Sequence, residues 1–84
     1  MKVKMDNREK LFTAVAGIFN VDPASISEKS SPDTVPGWDS LAMVNLVAEL
    51  EQVFDVQFDI LEIADFHNVE IIRTILADKG VSFE

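Results

Sequence analysis

Eighty-four residues, 48% of them hydrophobic and none of them cysteine, make one small domain with a single core, and exclude a two-lobed enzyme cleft, a disulfide framework and a thiolate metal site. Fifteen acidic residues against seven basic ones give a net charge of −8, which disfavours nucleic acid and anionic lipid as partners and favours basic protein surfaces. The excess is local: from Ser30 to Ile72 there are acids but no lysine or arginine, and the rest of the chain is close to balanced.

In chain order, Met1-Lys2-Val3-Lys4-Met5-Asp6 lacks the apolar core of a signal peptide, and no run approaches the roughly 20 apolar residues of a membrane span, so a soluble cytoplasmic protein is expected. Asp6 to Phe19 reads as a first helix. Leu11, Phe12, Val15, Ile18 and Phe19 recur at helical spacing, and Asp6-x-x-Glu9 is a capping signal. Asn20 to Trp38 carries Pro23, Pro32, Pro36 and Gly37 among serines and aspartates, and is expected to be a long loop that Val21, Ile26 and Val35 pin across the core.

A second helix is expected from Ser40 to about Phe54, free of Gly and Pro. Met43, Leu46, Val47, Leu50 and Phe54 form its core stripe. Leu41, Val44 and Ala48 extend the apolar arc beyond one buried face, so the helix is either buried on more than one side or docks a partner there. Beyond Asp55 the chain turns through Val56-Gln57-Phe58-Asp59 and a short helical turn is expected at Ile60 to Ala64; the alternative, an edge strand over Phe58 to Ile63, has no second strand to pair with. Asn68 is a suitable N-cap for a last helix, Val69 to Asp78, with Val69, Ile72, Ile75 and Leu76 inward and Gly80 as its stop.

The chemistry centres on Gly37-Trp38-Asp39-Ser40-Leu41. A serine just before an apolar-periodic helix is ordinarily its N-cap, although Asp39 could equally take that role and free the Ser40 hydroxyl. An ester phosphate on Ser40 would lie beside unpaired backbone N–H groups and the positive end of the helix dipole. One reading of Trp38 is a large aromatic at the junction that staples the start of the helix to the core; the other counts it with Pro36 and Gly37 in the lead-in to Ser40. As a catalytic nucleophile Ser40 has little support, because His67 is the only histidine and the G-x-S-x-G elbow is missing. No D-x-D-x-D-G loop or paired histidine motif offers a metal site.

The run Gly37-Trp38-Asp39-Ser40-Leu41, followed by Val44, Leu46-Val47, Glu49-Leu50-Glu51 and Phe54, resembles the acyl carrier proteins, whose Asp-Ser-Leu motif bears a 4′-phosphopantetheine arm on the serine. The resemblance covers most of the chain. It implies an all-α, four-helix carrier bundle with a long first loop and a short third helix, formed by residues 1–84 as a single domain. It makes Ser40 the attachment site for an arm supplied by coenzyme A, and it places Asp39 near the magnesium ion of the phosphopantetheinyl transferase. Leu41, Val44 and Ala48 match positions that face partner enzymes, which tips the open choice toward docking; Glu49, Glu51, Asp55 and Glu62 would form an acidic rim. The implied partners are the transferase, an acyl-loading ligase and acyltransferase or synthase enzymes, and the implied working form is a monomer.

Ala42-Met43 and Asn45 stand where carriers of fatty-acid synthesis have acidic residues, and the Pro36-Gly37-Trp38 lead-in is more similar to carriers of specialised pathways. The expected function is therefore that of a carrier, not an enzyme, holding an acyl or aminoacyl group as a thioester. The rival is a small acidic helical interaction domain with Ser40 as a helix cap; a minimal Ser40/His67 esterase stands behind it.

Overall fold

The computed structural model describes residues 6–83 and is all-helical: among the described residues there are four α-helices and no strand. They are α1 (Asn7–Phe19), α2 (Ser40–Phe54), α3 (Ile60–Ala64) and α4 (Val69–Asp78). The long first loop separates α1 from α2, and its only regular piece is a single 3-10 turn at Pro23–Ser25, capped by Asp22. That turn is absent from the periodicity, because three residues are too few to show any.

Capping sets the helix boundaries. Asp6 accepts from the backbone N–H of Glu9 while Glu9 reaches back to the Asp6 N–H, so both halves of the capping box form. Asp59 and Glu62 repeat the arrangement on α3, and the Asn68 side chain accepts from the Ile71 N–H at the start of α4. At the far end of α4, Gly80 has φ 99°, and the Val81 and Gly80 N–H groups bond the carbonyls of Leu76 and Ala77. Together they close a Schellman motif, which needs a left-handed residue at the position of Gly80. Asn20 and Asp55 end α1 and α2 in the same left-handed region without being glycine.

The core lies where the helices' inward faces meet. Leu11, Val15, Leu46, Leu50, Val69, Ile72 and Leu76 are fully buried. Burial of each such aliphatic side chain is worth about 1.5–3 kcal/mol. Of the expected α2 stripe, Leu46 and Leu50 lie deepest, while Met43, Val47 and Phe54 are half-buried against the same core. Ile26, Val35 and Trp38 of the loop are buried and Val21 is half-buried, so the loop is pinned across the core. Further along the loop, Ser30 and Glu28 accept through their carbonyls from the Val69 and Glu70 N–H groups at the start of α4. The Glu28 carboxylate pairs with Arg73 at 3.0 Å and Arg8 at 3.8 Å, tying loop, α4 and α1 together. No helix of the described residues is long and apolar enough to cross a membrane.

Candidate functional site

Three consecutive backbone choices deliver the site. Gly37 has φ 86°, a conformation that costs a residue with a β-carbon and suits glycine. The Asp39 N–H then bonds the Gly37 carbonyl at 2.9 Å across Trp38, a tight three-residue turn. Trp38 is thereby held inward, 7% exposed and stacked on Phe19 with 5.1 Å between ring centres, as a staple at this junction should be. Two residues later Ser40 stands exposed in the first turn of α2.

The N-cap is Asp39. Its backbone is extended and its Oδ1 accepts from the Ala42 N–H at 2.9 Å, while its carbonyl accepts the first helical bond from Met43. The reading of Ser40 as the helix cap is therefore overturned. Asp39 precedes the first residue with helical backbone angles, which is where a side-chain oxygen can reach the free N–H groups; Ser40 is already inside the helix. Among the described residues no hydrogen bond engages the Ser40 side chain.

Two grooves open beside Ser40. One, of about 350 Å³, is almost wholly apolar and is lined by Ser40, Met43, Val44, Val47 and Ile63. The other, of about 400 Å³, is bordered by Trp38, Asp39, Ser40, Met43, Ile63 and His67, among others. His67 is exposed, and its side chain makes no hydrogen bond among the described residues; it shares a groove with Ser40 without being bonded to it. The Trp38 indole N–H is buried and unpartnered among the described residues. Leaving a buried donor unpaired costs about 1–3 kcal/mol.

The other site residues fall on three faces of the protein. Leu41 is 72% exposed and Val44 65% exposed, with Ala48 exposed beside them, so this side of α2 is not buried. Glu49 is half-buried and turned toward α1, where it borders a groove with Lys10 and Gly17. Glu51 reaches the connection between α2 and α3, where its Oε2 accepts from the Phe58 N–H at 2.9 Å. Glu62 lies 2.8 Å from the Lys79 ammonium, which together with its bond to the Asp59 N–H holds its carboxyl below the usual glutamate range. The spacing gave no warning of Ile60 and Leu61, which are 80% and 76% exposed. The available signal was two large apolar residues directly after the cap Asp59, in a helix too short to bury both.

The family model described as the phosphopantetheine attachment site matches residues 9–76. The chain belongs to that family. No curated protein matches it. Phosphopantetheine-attachment domains hold 4′-phosphopantetheine covalently, and the residues present fit this group. An uncapped hydroxyl at the start of a 15-residue helix suits a phosphodiester, since the first-turn N–H groups and the helix dipole both favour negative charge there. The adjoining grooves beside Ser40 offer apolar walls to an arm that carries methyl groups. Among the described residues no group of three His, Cys, Asp or Glu could hold a metal ion.

Proposed function

We propose that this chain is a carrier protein, acting as one domain and as a monomer in the cytoplasm, whose Ser40 Oγ loses its proton and takes the arm from coenzyme A as a phosphodiester, breaking the pyrophosphate bond and releasing adenosine 3′,5′-bisphosphate. The carrying observation is the division of labour at the start of α2: Asp39 caps the helix and Ser40 is exposed with its hydroxyl unbonded. When bound, the cofactor supplies the terminal thiol on which an acyl or aminoacyl group is held as a thioester. The protein's own part is to fix the tether point, shield the cargo in the groove lined by Met43, Val44, Val47 and Ile63, and present a face to each partner in turn. It is not itself an enzyme.

Asp39 meets the phosphopantetheinyl transferase, using the carboxylate oxygen left free by the cap. Leu41, Val44 and Ala48 dock that enzyme, the loading ligase and the acyltransferase or synthase. Their exposure supports this role, since large apolar side chains clustered at the surface mark interaction sites. Glu49 and Glu51 flank the apolar strip on opposite sides and steer basic partners, with one Glu51 oxygen already given to Phe58. Steered encounters are fast and, with a small contact area, short-lived, which suits a carrier that visits several enzymes. Ala42, Met43 and Asn45 add no charge near Ser40, in keeping with a specialised pathway rather than fatty-acid synthesis.

The test is loading. Wild-type chain incubated with coenzyme A and a broad-specificity phosphopantetheinyl transferase gains the mass of one arm. Ser40→Ala keeps its helical circular dichroism and gains nothing. An unmodified wild type, or a loaded Ser40→Ala, overturns the assignment.

A further inference from the structure

Trp38 borders the groove that opens beside Ser40, yet its indole N–H has no acceptor among the described residues. Buried tryptophans ordinarily pair that group, and a phenylalanine would stack on Phe19 without carrying an unmet donor. The tight turn across Gly37 and Asp39 fixes the direction of both side chains, Trp38 inward and Ser40 outward two residues on. Whatever is attached to Ser40 thus begins at the groove that Trp38 borders. A phosphopantetheine arm has oxygen acceptors along its length, in its phosphodiester and its two amides.

We infer that Trp38 is a positioning residue for the arm: its Nε1–H donates to an arm oxygen when the arm lies in the groove bordered by Trp38, Asp39 and His67. This rests on the loading of Ser40 proposed above. The N–H is shut off from water, so an acceptor that reaches it meets no competing solvent and makes a stronger bond than one at the surface. Reaching it requires the groove wall to give locally, which makes the loaded and unloaded states distinguishable at this one atom. The arm is then parked along the protein between visits, and partner docking draws it out.

The chain has a single tryptophan, so its indole N–H gives one assignable resonance. The full chain, labelled with nitrogen-15, is measured before and after loading, with the degree of loading read from the intact mass of the same sample. The inference predicts that loading moves the indole proton downfield and slows its exchange with solvent several-fold. It also predicts that loaded Trp38→Phe exposes the arm, so that iodoacetamide alkylates the terminal thiol several-fold faster than in the loaded wild type. An indole resonance unchanged by confirmed loading overturns the inference while leaving Ser40 as the attachment site. Equal alkylation rates in a folded Trp38→Phe do the same. Absence of a mass gain instead overturns the loading itself. If Trp38→Phe does not fold, the wild-type resonance decides alone.

Discussion

Around Glu28 three parts of the chain are fastened together, whereas around Ser40 the surface is left unfastened. Glu28 pairs with Arg73 and Arg8, backbone bonds run from α4 to the loop at Glu28 and Ser30, and Leu11, Val15, Ile72 and Leu76 lie fully buried behind them. On the other side, α3 has no buried residue, and Leu41, Val44, Ile60 and Leu61 are all more than half exposed. The Glu51 bond to the Phe58 N–H, the Glu62 pair with Lys79, the buried Phe66 and the Phe58 ring set edge-on against it hold that side in place. The contrast separates two tasks. A fixed scaffold keeps the start of α2 in place, and a lightly anchored apolar surface beside it remains available to cargo and partners.

The largest effect expected is on the scaffold. Leu50→Ala removes a fully buried side chain and should lower unfolding free energy by about 2–5 kcal/mol in urea titration. A change within 0.5 kcal/mol would mean that the core does not rest on this face of α2. Leu41→Lys or Val44→Lys reverses the pattern: stability should shift by about 0.5 kcal/mol or less, as at other exposed positions. The rate of loading by the transferase should nevertheless fall about fivefold or more, the loss expected when an interface anchor worth over 1 kcal/mol is removed. Unfolding of either variant would place these side chains in the core and erase the contrast.

The smallest effect concerns the tie that holds α3. The Glu62 carboxyl titrates below its ordinary value of 4.5 because Lys79 and the Asp59 N–H favour its charged form. A depressed value in the fold means that the ionised carboxylate stabilises it. That contribution is complete above the unfolded value and is lost as pH falls from about 4.5 through the lower folded value. Lys79→Met should move the Glu62 midpoint, followed by carbon-13 NMR, back toward 4.5. No movement would show that the capping N–H alone sets it.

Local signals made most of the fold legible. The Asn68 cap, the Asp6 and Glu9 box, and the apolar spacing of α4 each act within four residues, and all fall where the sequence puts them. The extent of α3, Ile60–Ala64, also matches the expected turn, although the Asp59 and Glu62 capping box that sets it was not read from the sequence. Partners far apart in sequence were not. Nothing in the spacing joins Glu28 to Arg73, or shows that Glu51 and Glu62, read as rim acids, have bonds inside the molecule. At the site, the ambiguity between Asp39 and Ser40 as cap could not be resolved from composition, since both residue types cap well and one position of register decides. The unpaired indole was invisible for a related reason: sequence shows that a tryptophan has a donor, and only packing shows that nothing accepts from it.

Fragmentation mass spectrometry of the chain after incubation with coenzyme A and a phosphopantetheinyl transferase tests the central claim most directly. The account predicts one added arm per chain, localised to Ser40 and to none of the other serines, with the four-helix fold retained. An arm on a different residue, or a folded chain that stays at its unmodified mass, contradicts it.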